Sequence, residues 1–292
     1  MKKTVLLQNN QIIAQINYQG AELSRLYSKQ FSREILWDGN PAHWGRHAPV
    51  LFPFVGKLKD GKYEHQGNSY SLGQHGFARD QEFTLIEQSD SHCTFELVAS
   101  EKTKMLFPFD FSLKTTFTLS SSGLKTEYTV KNKDNNTLYF SLGAHPAFNC
   151  PMKKNKLEDY QLIFEKNETA QTLLLDATGL LSNEKSDFLN NKNVVELNDN
   201  LFEKDALMFT DLRSTFLTIN SEKDELEVKV SWKNFPYLGI WKPIGAPFIC
   251  IEPWSGIADF ANASGKLSEK FGINSLEKDK VFMASYDIMI AT

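Results

Sequence analysis

An acidic residue closes an almost wholly apolar stretch near the end of the chain. Glu252 follows Phe248-Ile249-Cys250-Ile251 and precedes Pro253 and Trp254. A carboxylate on a buried strand either needs partners or has a raised pKa, and both conditions recur at active sites. Glu252 is therefore a candidate acid–base residue, the alternative being an exposed carboxylate at a strand end. Cys250, in the same run, is interpreted as a small buried hydrophobic residue.

Two histidines lie in segments typical of strand ends and loops, where functional groups concentrate. His145 follows the apolar run ending at Leu142 and precedes Pro146, which interrupts regular strand pairing. An imidazole is the side chain best suited to donate and accept protons near neutral pH. His75 lies between Gly73 and Gly76; it is either a second site residue or a histidine that satisfies backbone groups.

A third segment combines histidine, arginine, proline and aromatic residues. His43 and His47 have the i,i+4 spacing that on a helix places two metal ligands on one face. Gly45 and the flanking prolines argue against a helix, so we predict no metal site there. Arg46 is more informative, because a guanidinium beside packed aromatics can bind sugar hydroxyls or a phosphate. The alternative is a surface arginine whose stem covers apolar area.

Several reaction classes lack their sequence signatures. The chain has no G-x-S-x-G nucleophile elbow, no glycine-rich phosphate loop and no dinucleotide fingerprint. Acid–base chemistry on a small polar ligand remains. Glycoside hydrolysis also stays open: it needs a second carboxylate beside Glu252, and the chain offers candidates. Asp205, Asp211 and Asp259 are candidates to partner Glu252 in that reaction.

The elements that must position these residues are β-strands, because apolar residues recur with period two. Hairpins are predicted for 111–119 with 124–130, for 5–7 with 12–16, and around Gln66-Gly67-Asn68. Helical periodicity is scarce, with one turn expected at Ile257–Phe260. We predict an all-β fold with few short helices, forming a single domain over residues 1–292. Further strands are predicted at 83–88, 93–99, 138–142, 160–165, 206–209, 214–219, 226–232, 247–252 and 281–290.

Composition narrows the class of partner. The 292 residues carry a net charge of −4 with dispersed lysines, which does not suggest a nucleic-acid surface. Three widely spaced cysteines without a CxxC pair argue against a disulfide framework or a thiolate metal site. No apolar run approaches the roughly 18 residues of a membrane-spanning helix. The apolar run that begins at Val5 stops before Gln8, too short for a signal peptide, so a cytoplasmic location is expected.

Five motifs together resemble the aldose 1-epimerase family, in the branch that includes the LacX proteins of lactose operons. They are in the family's order and span essentially the whole chain. The motifs are Arg46 to Gly56, His75-Gly76-Phe77-Ala78-Arg79, Gly143-Ala144-His145-Pro146-Ala147-Phe148-Asn149, Leu201-Phe202-Glu203-Lys204-Asp205-Ala206-Leu207 and Ile251-Glu252-Pro253-Trp254.

The resemblance implies a large antiparallel β-sandwich, the galactose mutarotase-like supersandwich, and interconversion of aldose anomers without a cofactor or metal. Glu252 matches the family's general base and His145 its general acid. His75, Asp205 and Arg46 match positions that bind sugar hydroxyls. Trp254 is proposed to stack on a sugar face, an inference from residue type and not a motif match.

Part of the sequence departs from galactose mutarotases proper. Gly45-Arg46-His47-Ala48-Pro49-Val50 stands where they carry a Gly-Arg-x-x-Asn-Arg-type segment. The segments at Arg46 and His75 are more similar to the hexose-6-phosphate 1-epimerase branch, in which nearby arginines contact the phosphate. Arg79 is the matching candidate here, with Arg46. The expected partner is thus a free or 6-phosphorylated hexose, and a non-catalytic carbohydrate-binding protein is the alternative.

Overall fold

The computed structural model describes residues 3–291 and consists mainly of β-strands, as the sequence predicts. Helical structure among these residues is limited to the α-helix α1 (Glu101–Lys104) and 3₁₀ turns at Lys59–Gly61, Ala78–Asp80, Leu157–Asp159, Asp199–Phe202 and Leu267–Glu269. The strands are β1 (Thr4–Gln8), β2 (Ile12–Asn17), β3 (Leu23–Ser28), β4 (Arg33–Glu34), β5 (Val50–Leu51), β6 (Lys62–His65), β7 (Asn68–Ser71), β8 (Thr84–Gln88), β9 (His92–Val98), β10 (Phe111–Leu119), β11 (Gly123–Asn132), β12 (Leu138–Phe140), β13 (Leu142–Ala144), β14 (Ala147–Asn149), β15 (Gln161–Leu175), β16 (Leu181–Glu196), β17 (Leu207–Phe209), β18 (Phe216–Asn220), β19 (Glu227–Lys233), β20 (Tyr237–Trp241), β21 (Phe248–Ser255), β22 (Asn274–Leu276) and β23 (Val281–Ala291).

One large antiparallel sheet dominates the molecule. It contains 15 strands, and its main path runs β5-β13-β21-β20-β17-β15-β18-β19-β23-β11-β10-β9-β8, with β14 paired to β21 and β16 paired to β15. Strands β1 to β4 form a separate four-stranded sheet. The large sheet folds over on itself: Phe52, next to β5 at one end, packs its ring 5.0 Å from that of Phe111 in β10 near the other end. This closure produces the β-sandwich and encloses its aromatic core.

The predicted hairpins are confirmed. Strands β10 and β11 pair from Phe111 opposite Asn132 to Leu119 opposite Leu124. Strands β1 and β2 pair around the Asn9-Asn10 turn. Tyr63 and Tyr70 lie opposite each other across the third hairpin, with stacked rings 5.3 Å apart. Period-two alternation identified these strands because each has one face against the core.

Two local expectations were wrong or incomplete. Residues 257–260 form no helical turn, and Phe260 makes an isolated bridge to Leu181. The strand predicted at 160–165 continues to Leu175 and pairs with β16, a strand that the sequence reading missed. Much of β16 is exposed, so its sequence lacks the alternation that a half-buried strand shows. Within residues 3–291, no helix has the length and apolar character needed to cross a membrane.

Candidate active site

Strand β21 supplies the candidate base, and its side chains alternate between the main hydrophobic core and the opposite face of the sheet. All eight of its residues are buried. Ile249 and Ile251 belong to the main hydrophobic core. Cys250 and Trp254 belong to two smaller apolar clusters on the other face. Because side chains alternate along a strand, Glu252 lies on that second face between Cys250 and Trp254.

The pairing register brings His145 to Glu252. Strand β13 pairs with β21 through Gly143 opposite Trp254, and β14 pairs with it through Ala147 opposite Cys250. His145 lies midway between Gly143 and Ala147, just as Glu252 lies midway between Trp254 and Cys250, so the two registers place these side chains opposite each other. His145 Nε2 is 3.0 Å from Glu252 Oε2.

Aromatic rings surround the His145 imidazole. Trp44 stacks on it with ring centroids 4.8 Å apart, and Trp241 meets it edge-on at 5.8 Å. His75 is also edge-on, at 5.8 Å. His145 is 7% exposed and Glu252 is 2% exposed. The rings therefore hold the imidazole in one orientation and exclude most water from the pair.

Burial controls the protonation of this pair. It raises the pKa of Glu252 well above its usual value; the charge of Asp205 adds to this, and the Trp254 indole opposes it. Burial lowers the pKa of His145 to about 3, with Arg79 and Arg46 acting in the same direction and a backbone hydrogen bond opposing. Two touching groups of this kind titrate as a unit. Between the two pKa values, the pair therefore holds one proton.

The structure also defines the tautomer of His75. The backbone N–H of Gly56 donates to His75 Nδ1 at 3.1 Å, while the backbone N–H of His75 donates to the Gly56 carbonyl at 2.9 Å. Burial and the nearby His145 lower the pKa of His75 well below its usual value. The ring is thus neutral with its proton on Nε2, which makes it a hydrogen-bond donor. Its φ of 67° is a strained conformation for a non-glycine residue, of a kind that clusters at functional sites.

Glycines on both neighbouring strands make room for Trp254. A Cβ at Gly239, in β20, would lie 2.4 Å from Trp254 Cη2, and a Cβ at Gly143 would lie 2.8 Å from Trp254 Cδ1. The indole therefore lies flat across the sheet beside Glu252. Among residues 3–291 its Nε1 has no hydrogen-bond partner, although the ring is 95% buried. A buried N–H without a partner is a candidate donor to a ligand.

We expect Gly239→Ala to disturb this surface, because the added methyl overlaps the Trp254 ring. Overpacking of this kind costs about 1–3 kcal/mol of unfolding free energy. The displaced indole should also weaken sugar binding. Denaturant unfolding monitored by tryptophan fluorescence measures the first effect, and the sugar concentration for half-maximal rate measures the second. Gly73→Ala is the control, since a methyl there meets no atom of residues 3–291 within 4 Å; equal behaviour of the two variants would contradict the packing argument.

These side chains face a cavity of about 380 Å³, within the range of roughly 300–1,000 Å³ that holds small ligands. Six of the seven residues predicted as catalytic or binding line it, all except Arg46, and the sequence reading missed several others. The lining residues are Trp44, Val55, Gly56, Lys57, Gln74, His75, Arg79, His145, Leu175, Gly179, Asp205, Ala206, Met208, Trp241, Glu252, Trp254 and Ala258.

Two of the predicted binding residues differ in their surroundings. Asp205 is exposed at the cavity wall and has a φ of 74°; its Oδ1 accepts a hydrogen bond from the backbone N–H of Ala206 at 2.7 Å. Arg79 is mostly covered, and it donates from Nη2 to the Gln74 carbonyl at 2.7 Å. Arg79 Nε is buried without a hydrogen-bond partner among residues 3–291. Both side chains can therefore take a polar ligand.

Arg46 is the predicted binding residue that the structure does not place in the cavity wall. Its guanidinium donates to Asp80 Oδ1 at 2.9 Å. It remains close enough for its charge to lower the pKa values of His75 and His145. The two histidines of that segment make different contacts: His47 Nδ1 lies 3.6 Å from Glu22 Oε2, whereas His43 packs beside Trp37 outside any helix.

Of the three aspartates considered as partners of Glu252 in glycoside hydrolysis, two lie outside the cavity. Asp259 Oδ1 accepts from Lys270 Nζ at 2.8 Å, and its Oδ2 accepts from the Lys59 backbone N–H at 2.9 Å. Neither Asp259 nor Asp211 is in the cavity lining. Asp205 alone of the three faces the cavity, while the group in contact with Glu252 is an imidazole.

The residues that the sequence reading missed are mainly aromatic. Trp44 and Trp241 build the wall around His145, and Lys57 and Gln74 add polar groups to the rim. Trp44 lies within the Arg46 segment and its type was a usable signal. Trp241 carried no such signal, because β20 was not predicted as a strand. Cys250 lies under the pair, with its Sγ within 4.8 Å of ligand atoms of both His145 and Glu252.

Known proteins resemble this chain over almost its whole length. The family model described as aldose 1-epimerase matches residues 3–270. Protein LacX of Lactococcus lactis is 32% identical over 98% of this chain and 99% of its own. A galactose mutarotase related enzyme from Lactobacillus acidophilus has 34% identity and a TM-score of 0.95, covering 99% of this chain and 98% of its own. A galactose mutarotase-like protein from Lactobacillus casei has 31% identity and a TM-score of 0.93, covering 99% of this chain and all of its own.

Proposed function

The chain belongs to the aldose 1-epimerase family, and from that premise we propose that it interconverts the α and β anomers of a hexose, free or phosphorylated at C6. One observation carries the proposal: an imidazole and a carboxyl group meet at 3.0 Å on the wall of a sugar-sized cavity. Residues 1–292 are taken to act as one domain, in which the main apolar cluster joins Val5 to Ile288.

Glu252 and His145 have complementary roles in ring opening. Burial favours the shared proton on Glu252, so it must first pass to His145 along their 3.0 Å contact. Glu252, as the carboxylate, then takes the proton from the C1 hydroxyl, while His145, as the imidazolium, protonates the ring oxygen O5. The C1–O5 bond breaks and the C1–O1 bond becomes the aldehyde double bond. Rotation about C1–C2 then presents the other aldehyde face, and the pair closes the ring with the roles reversed. The proton count of the pair is the same before and after each turnover.

The geometry suits this chemistry because O1 and O5 are bonded to the same carbon. An acid and a base that serve such neighbouring oxygens must lie side by side, as opposite residues of an antiparallel pair do. The ring-opening step needs one proton removed and one delivered, which protein side chains can supply without a cofactor. The single proton that the pair holds is therefore the reactive one.

Three other residues are suited to orient the sugar. His75 Nε2–H is a fixed donor and Asp205 a rim acceptor for hydroxyl groups. Trp254 offers a flat surface beside Glu252 for an apolar sugar face, and its indole N–H adds a donor next to Glu252. Polar groups placed at a few points of a mostly apolar wall are what fixes the orientation of a small ligand.

Basic side chains of the cavity indicate whether the hexose carries a 6-phosphate. Lys57 and Arg79 line the wall, and Arg79 Nε has no hydrogen-bond partner among residues 3–291, although Asp80 Oδ2 lies 3.8 Å from it. A guanidinium of this kind is a good phosphate ligand. These observations support a 6-phosphorylated hexose as a substrate alongside the free sugar.

The deciding experiment is an anomer-exchange assay on freshly dissolved α-glucose, α-galactose and their 6-phosphates, followed by polarimetry and by saturation-transfer NMR. We expect accelerated approach to anomeric equilibrium for at least one sugar. If 6-phosphates are preferred, Arg79→Gln should remove that preference. Binding of every sugar without any acceleration would identify a non-catalytic carbohydrate-binding protein, and release of reducing ends from an oligosaccharide would indicate a hydrolase.

A further inference from the structure

A free, fully buried thiol lies beneath the acid–base pair and has no part in the proposed reaction. Cys250 precedes Glu252 by two residues on β21, so both side chains lie on the same face of the strand. Ala147, a small residue, lies opposite Cys250 in the strand pairing. Within the described part of the chain, ligand atoms of His145, Cys250 and Glu252 all lie within 4.8 Å of one another.

We propose that His145, Cys250 and Glu252 form a binding site for a thiophilic divalent cation such as Zn²⁺, and that the bound ion blocks the acid–base pair. Imidazole nitrogen, thiolate sulfur and carboxylate oxygen are the ligands that Zn²⁺ takes in proteins. Ligand–metal distances of about 2.0–2.3 Å place the ligands of one tetrahedral ion roughly 3.3–3.8 Å apart. The contact of 3.0 Å between His145 and Glu252 is slightly shorter than this spacing. The three ligand atoms all lie within 4.8 Å of one another, so the ion would draw Cys250 closer to the pair.

Charge and access both favour such an ion. A thiolate and a carboxylate together balance the two positive charges, which a buried site requires. His145 and Glu252 line the cavity, so the ion has an entry path and a fourth position open to water or ligand. Mg²⁺ prefers oxygen ligands in octahedral geometry and does not fit this set.

Inhibition follows from proton displacement. A metal binds deprotonated ligands, so it replaces both the thiol proton and the proton that the pair shares. The lone pairs of His145 and Glu252 are then no longer available to the sugar. This consequence rests on the proposed function, whereas binding of the ion does not.

Binding is tested with Co²⁺ as the probe, on the full chain after treatment with a chelator. We expect saturable uptake of one equivalent, a visible spectrum of tetrahedral Co²⁺ and a thiolate charge-transfer band, all reversed by Zn²⁺. Cys250→Ala should lose the charge-transfer band and bind at least tenfold more weakly. Cys150→Ala, which alters another buried cysteine, is the matched control and should behave as the wild type. Cys250→Val, closer in volume, serves if the alanine variant does not fold.

Inhibition is tested in the anomer-exchange assay. Zn²⁺ should suppress exchange by the wild type and by Cys150→Ala, with Mg²⁺ having no effect, and Cys250→Ala should need at least tenfold more Zn²⁺ for the same fractional inhibition. The metal site is refuted if the wild type shows no thiolate band, or if Cys250→Ala binds Co²⁺ as the wild type does. A chain that binds Co²⁺ through Cys250 yet exchanges no anomers refutes the proposed function and keeps the metal site.

Discussion

Glu252→Gln is expected to lower the rate of anomer exchange by about 10²–10⁴-fold while sugar binding persists. The amide has nearly the shape of the carboxyl group but cannot accept the C1 hydroxyl proton. It can still donate a hydrogen bond to His145 Nε2, so the geometry of the cavity wall is retained. Exchange is measured by saturation-transfer NMR, and binding by calorimetry with the same sugar. Retention of more than about a tenth of the wild-type rate would remove Glu252 from the role of base.

The stability of the same variant distinguishes loss of chemistry from loss of fold. The pKa of Glu252 is raised well above 4.5 in the folded protein. The stability that this group contributes is therefore complete below about pH 4.5 and is lost as pH rises through the folded-state pKa. A neutral glutamine avoids that loss, so Glu252→Gln should be at least as stable as the wild type at neutral pH. Thermal unfolding at several pH values measures this, and a large destabilisation would make the activity result uninformative about the base.

His145→Gln is expected to cost exchange activity by a similar factor of about 10²–10⁴, because no group is left to protonate O5. The double variant Glu252→Gln/His145→Gln should be about as inactive as the less active of the two single variants. The effects of substituting residues that act as a unit are strongly non-additive. Exchange rates of the four proteins under one condition provide the comparison. If the two losses simply multiplied, the side chains would be acting independently and the paired mechanism would fall.

The pH dependence of stability offers a control for His145. Its pKa falls from 6.5 to about 3 on folding. The stability that it contributes is thus present above pH 6.5 and declines as pH falls from 6.5 towards 3. His145→Gln should flatten this part of the curve of unfolding free energy against pH. An unchanged acid slope would mean that the imidazole titrates normally and is not buried as the structure has it.

Much of the site could be named from the sequence because particular residue types stood in unusual surroundings. Glu252 after four apolar residues and His145 before a proline were visible in this way, and so was the Arg79 segment. The walls of the cavity were less accessible. Trp241 carried no signal in the sequence, and packing against His145 is what makes it part of the site. Arg46 was predicted to bind the sugar; the structure pairs it with Asp80 outside the cavity lining, and its binding role stays a prediction.

The sequence by itself determined those strands that alternate clearly, and their buried faces, because alternation along a strand is a local property of neighbouring residues. It therefore placed Glu252 and Cys250 on one face of one strand. The tertiary structure decided which residue lies opposite each of them. Pairing of β21 with β13 and β14 brings His145 to Glu252, and the backbone of Gly56 sets the proton of His75. Such contacts join segments far apart in the chain, so no local pattern encodes them; they arise when the whole sheet closes and buries its aromatic core.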